Sequence, residues 1–152
     1  MCKRIFVAID GSATAQLALH EAIQFARLPG MSLCIGTVLD TSLLDQNNIG
    51  MGSLLNPDSV KAELRQAAEL LLDSAVAKAK EAGLDPYRIL VDSDNQRVAE
   101  KILEASKQWD ADLIVIGTHG RRGFQRLLMG SVAENLVRIA TTSLFLVRRK
   151  AD

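Results

Sequence analysis

Leu113-Ile114-Val115-Ile116-Gly117-Thr118-His119-Gly120 is a run of apolar residues that breaks into a segment opened and closed by glycine, and after nine further residues come Gly130-Ser131 and a helical pattern. A continuous apolar run predicts a strand covered on both faces, as in a parallel sheet. A glycine loop leading from such a strand into a helix presents main-chain amides without a Cβ in the way. The helix start adds outward-pointing N–H groups and the positive end of the helix dipole. If the remainder of the chain repeats the strand-then-helix rhythm, the segment decides both the fold and the place of the functional site.

It does repeat. Ile5-Phe6-Val7-Ala8-Ile9 predicts the first strand, and Leu33 to Leu39 the second. Apolar residues at 15, 18, 19, 22, 25 and 26 predict a helix between them, closed by Pro29-Gly30. A long helix is expected from about Ser59 to Ala82, stopped by Gly83. Ile89-Leu90-Val91 predicts the third strand, and Ser93 with Gln96 reads as a capping box for a helix carrying Val98, Ile102 and Leu103. Trp109 is expected to pack at the end of that helix. Helix 131–140 and strand Leu144-Phe145-Leu146-Val147 complete the series. The alternation predicts one domain over 1–152, an open parallel five-stranded sheet with helices on both faces. Asp40 to Pro57 is polar and rich in Gly and Asn, and it reads as a flexible loop, long for a connection in a compact domain.

The 152 residues carry 18 Lys plus Arg against 18 Asp plus Glu, so no global positive field favours a nucleic acid, and no such partner is expected. The short apolar run at the N-terminus lacks the form of a signal peptide, and no stretch reaches the length of a membrane span; a cytoplasmic protein without membrane insertion is expected. Cys2 and Cys34 give neither a disulfide framework nor metal-ligand spacing. Cys34, between Leu33 and Ile35, reads as a small buried hydrophobe.

Ligands of open parallel sheets bind beyond the C-terminal ends of the strands, where the strand order reverses. If the first and fourth strands are neighbours, Asp10 and Gly117 lie side by side there. Ser131 could bond a phosphate oxygen, with Val132 and Ala133 adding N–H groups. Arg121, Arg122 and Arg126 put local positive charge in the loop, and the planar guanidinium suits phosphate. Structural readings compete at each position. Ser131 with Glu134 also fits a capping box, Asp10 also fits a turn cap, and the arginines also fit a solvated loop. His119 has no second histidine or cysteine placed to support it as a general base.

The spacing Gly117-x2-Gly120-x9-Gly130-Ser131 resembles the glycine signature of the ATP-binding universal stress protein family. Ala8-Ile9-Asp10-Gly11-Ser12, Thr37-Val38-Leu39-Asp40 and Ser131-Val132-Ala133-Glu134 are similar to that family at the ends of the first two strands and the start of the last helix. The resemblance spans essentially the whole chain; Thr141-Thr142-Ser143 departs from it, where many relatives carry a proline. It implies a three-layer, Rossmann-like α/β/α fold with strand order 3-2-1-4-5. It also implies an ATP site drawn from Ala8, Asp10, Val38, Ile116, Gly117, Gly120, Arg121, Gly130, Ser131 and Val132, with Mg²⁺ or Mn²⁺ on the phosphate oxygens. Asp10 would meet the ribose and the Val38 backbone the adenine. The same resemblance implies a homodimer through the 144–147 strand edge.

Three function classes stay open on these grounds. One is a nucleotide-binding regulator read by a protein partner whose identity the sequence does not give. The second is a dimeric interaction module that works without nucleotide. The third is a slow ATPase, for which only Asp10 or His119 can be nominated.

Overall fold

The computed structural model describes residues 2–42, 44, 56–119 and 129–149. Strands and helices alternate along them as β1 (Arg4–Ala8), α1 (Ala13–Ala26), β2 (Ser32–Leu39), α2 (Pro57–Glu81), β3 (Tyr87–Asp92), α3 (Val98–Gln108), β4 (Leu113–Gly117), α4 (Ser131–Ile139) and β5 (Ser143–Val147). The five strands form one all-parallel sheet in the order β3-β2-β1-β4-β5. The chain steps outward from β1 to β3, then returns to lay β4 against the other side of β1. The switch point between β1 and β4 is where such sheets open a crevice.

Strand periodicity sorts the core into two layers. Ile5, Val7 and Ile9 face Leu19 and Ala22 of α1 and Leu72 and Ala75 of α2. Phe6, Ala8, Ile114 and Ile116 face Ile102 and Leu103 of α3 and Leu136 of α4. Both faces of the central strands are covered, so their sequence is continuously apolar. Cys34 is fully buried in the second layer, and burial pushes its thiol up to about 12. Trp109 closes α3 as its C-cap residue, buried beneath the Arg4 guanidinium, which lies 4.3 Å from its ring centroid.

Local chemistry moves several boundaries from their expected places. Helix α1 starts two residues before Ala15 because the Ser12 hydroxyl accepts the Ala15 N–H at 3.2 Å. Helix α2 starts at Pro57, inside the stretch expected as loop, because Asn56 Oδ1 accepts the Asp58 N–H at 3.0 Å and proline suits the first helical position. At its other end Gly83 takes φ +85°, and the Leu84 N–H donates to the Ala79 carbonyl at 3.0 Å. The rest of the expected loop, residue 43 and residues 45–55, lies outside the described residues.

The expected capping box at Ser93 and Gln96 is not formed. Ser93 is fully buried, and its hydroxyl accepts the Thr41 N–H at 3.1 Å, tying the end of β3 to the end of β2. Asp94 and Asn95 then turn the chain through positive φ, and α3 begins only after Arg97. A side chain recruited into the core cannot cap a helix four residues on.

The two rims of the sheet differ. Along β3, Asp92 pairs with Arg65 at 2.8 Å and Lys61 at 3.9 Å, and Arg88 pairs with Glu69 and Asp73, all four partners lying on α2. Along β5, Leu144 and Leu146 are half-buried, and Phe145 stays exposed while meeting the Phe25 ring edge-on at 5.0 Å. Val137 and Ile139 of α4 are exposed as well.

Candidate functional site

The C-terminal ends of β1 and β4 are stitched together where the strand order reverses. Thr14 Oγ1 donates to the His119 carbonyl, and the Ser12 hydroxyl donates to the same oxygen at 3.4 Å. His119 Nδ1 lies 2.9 Å from Thr118 Oγ1, and its Nε2 is buried without a hydrogen-bond partner among the described residues. The Thr118 N–H donates to the Val147 carbonyl at 2.9 Å. Asp10 and Gly117 thus end on the same rim, as the sequence leads one to expect.

Asp10 has a structural task there. Its Oδ1 accepts the Ser12 N–H at 2.9 Å, across Gly11 with φ +81°. That closes the turn that delivers Ser12 as the cap of α1, so the expected turn-cap role is present.

Gly117 is glycine for a packing reason. A Cβ there would lie 2.7 Å from Thr14 Oγ1 and 2.8 Å from the Thr14 backbone carbonyl carbon. The start of α1 occupies the space that a side chain would need. Packing against α1 is thus sufficient reason for glycine here, beside the ligand role expected of it.

Helix α4 starts with no side-chain cap. Its N-cap is Gly130, whose own N–H donates to the Thr118 carbonyl at 2.6 Å, and the Glu134 N–H to Gly130 carbonyl bond at 2.9 Å follows. The amides of Ser131, Val132 and Ala133 precede that first bond and point out of the helix end. Ser131 is the first helical residue, not the cap, and Glu134 pairs with Arg138 at 2.8 Å. The alternative reading of Ser131 and Glu134 as a capping box is therefore not what forms.

Ala8 and Ile116 are buried in the α3–α4 layer, and Val38 and Val132 are half-buried against it. Above that layer a cavity of about 330 Å³ opens between the strand ends and the two helices. Asp40 and Ser42 line it from the end of β2, Asn95 to Ala99 from the β3–α3 turn and the start of α3, and Ser131, Val132 and Asn135 from α4. Gly120, Arg121, Arg122 and Arg126 lie outside the described residues. Sequence reasoning missed the 95–99 wall and Asn135 altogether, since no motif marks them and only the strand order brings them to Ser131.

Among the described residues no group of three or more His, Cys, Asp or Glu side chains could hold a metal ion, and no helix is long and apolar enough to cross a membrane.

Residues 1–148 match the model of the universal stress protein family. The chain belongs to that family. The universal stress protein YxiE of Bacillus subtilis is 28% identical to it over 152 residues, covering 97% of this chain and all of the relative. Among solved structures, Methanocaldococcus jannaschii MJ0577 superposes with a TM-score of 0.83 at 23% identity, covering 100% of this chain and 99% of the other. More distant neighbours include universal stress proteins solved with nucleotides. One is a complex with cAMP (TM-score 0.66, 23% identity, 97% of each chain), and one from Archaeoglobus fulgidus is a complex with dAMP (0.64, 24%, 95% and 97%). A third, from Arabidopsis thaliana, has AMP bound (0.68, 17%, 99% and 94%). At these identities the structural likeness carries the fold, which is that of the universal stress proteins.

Proposed function

We propose that this universal stress protein binds ATP and acts as a regulator whose state a partner reads. The observation that carries the proposal is the uncapped first turn of α4, which lines a cavity shared with the end of β2 and the β3–α3 turn. Phosphate oxygens would take the amides of Ser131 and Val132 and the Ser131 hydroxyl, as helix starts favour anions. Ala8, Val38 and Ile116 would floor the base, and Asp10 would stand at the ribose. Gly120, Gly130 and Arg121 would complete the phosphate side. The nucleotides named for solved relatives, cAMP, dAMP and AMP, share the adenine and ribose that this arrangement would hold. Mg²⁺ or Mn²⁺ would ride on the phosphate oxygens, which suit a hard cation.

Titration calorimetry with ATP tests the reading. Micromolar binding corresponds to about −8 kcal/mol. The absence of heat at high micromolar ATP, with folded protein, would count against the proposal.

A homodimer through β5 is proposed on separate grounds. Its edge strand carries exposed Phe145, α4 exposes Val137 and Ile139, and an apolar strand edge favours pairing with a second copy. Sedimentation showing monomer at working concentrations would remove this part while leaving the nucleotide reading intact.

A further inference from the structure

We infer that Arg97 is the residue that reads the length of the nucleotide's phosphate chain; this rests on the nucleotide reading above. Arg97 lines the same cavity as Ser131 and Val132, from the wall that the start of α3 provides. A phosphate chain that begins on the first turn of α4 and extends into the cavity runs toward that wall. A monophosphate held at α4 would stop short of it.

The Arg97 guanidinium makes no ion pair among the described residues, although three carboxylates lie close to it in chain or cavity. Asp40 Oδ1 accepts from the Ser42 N–H at 3.1 Å and from the Ser42 hydroxyl at 2.5 Å. Asp94 lies 3.9 Å from Lys101, which also meets Glu104 at 3.3 Å. The Glu100 carboxylate accepts the Arg97 backbone N–H at 3.4 Å. Arginine is a poor N-cap and puts a cation at the positive end of α3, which the Glu100 carboxylate in the first turn offsets only in part. An anion in the cavity would give the guanidinium a partner.

The wall is held in place before any ligand arrives. The Ser93 N–H donates to the Leu39 carbonyl at 3.0 Å, and the Gln96 N–H donates to the Ser93 carbonyl at 2.8 Å. With the Thr41 bond to the Ser93 hydroxyl, the turn before Arg97 is fastened to the end of β2. The guanidinium therefore starts from a backbone of fixed position, which lowers the ordering cost of a two-pronged phosphate contact.

Calorimetry with ATP, ADP and AMP on the wild type, Arg97→Gln and Arg97→Lys tests the assignment. The wild type should bind ATP more tightly than ADP, and ADP more tightly than AMP. Arg97→Gln should weaken ATP about tenfold and AMP less than twofold, while Arg97→Lys should recover part of the ATP preference as a point charge. Arg97 is exposed, so the variants should keep the wild-type circular dichroism. An equal loss for all three nucleotides, or no loss for ATP, overturns the role of Arg97 while nucleotide binding stands. A wild type that binds none of the three overturns the reading beneath it as well.

Discussion

Thr14 stands where a side chain on Gly117 would have to go, with its Oγ1 2.7 Å and its carbonyl carbon 2.8 Å from the position of a Cβ there. The hydroxyl that crowds Gly117 also donates to the His119 carbonyl, so one residue shuts the end of β4 against the start of α1.

Gly117→Ala should therefore destabilise the fold by about 1–3 kcal/mol, the usual cost of overpacking. Because the backbone of Thr14 is part of the obstacle, adding Thr14→Ala, which removes Oγ1, should not restore stability. Urea unfolding of the single and double variants checks this, and recovery in the double variant would place the clash in the side chain alone.

Gly36 gives the opposite expectation. A Cβ there would lie 2.3 Å from Phe6 Cζ, and its nearest contacts are all atoms of that one ring. Gly36→Ala alone should cost about 1–3 kcal/mol, and part of that loss should return when Phe6→Leu is added. A double-mutant cycle measures the coupling; strict additivity would show that the ring is not what the methyl meets.

Gly130→Val should abolish ATP binding with little change in urea midpoint. The backbone at Gly130 has φ −60° and ψ 149°, which any residue adopts, so the fold should tolerate the change. The added side chain would stand at the mouth of the α4 first turn, where the phosphates are proposed to lie. Calorimetry alongside unfolding separates the effects, and ATP binding at wild-type strength would move the phosphates elsewhere.

The two thiols should behave differently. Cys2 is exposed, whereas Cys34 is buried with its thiol pushed up to about 12. At pH 8 a disulfide reagent should titrate one thiol in native protein and two after denaturation. The raised value also has a sign for stability: from an ordinary 9.0 upward the unfolded chain releases a proton that the folded chain keeps. The contribution of Cys34 is thus complete below pH 9.0 and erodes as pH rises toward about 12. Replacing Cys34 with alanine should flatten that alkaline loss, measured against the wild type by urea midpoints from pH 8 upward.

Residue types that act locally carried the reading of the sequence. The apolar runs at Ile5, Leu33 and Leu113, the helical spacing from Ala15 and the stop at Gly83 each state their own structure. Ser93 did not, because a serine followed by Gln96 looks like a cap until the strand beside it is known to claim its hydroxyl. Asn56-Pro57 was a legible helix start, hidden by the polar stretch before it. In the site, Ser131 and Gly130 announced a helix end. Arg97 and Asn135 have no motif, and their meeting depends on α3 and α4 sharing one face of the sheet. Gly117 is legible as a special position, whereas its crowding by Thr14 depends on where α1 starts and has no sign in the sequence.

The salt-bridged flank where α2 meets β3 has a bearing on how large an assembly could grow. A parallel sheet that joined copies at either side could lengthen without end. Here the Arg88 and Asp92 clusters surround one border with hydrated charge, while the other border shows Phe145 to its surroundings. A union across β5 would use up each subunit's sticky side at once, so association would terminate at a pair and leave no template for fibre growth.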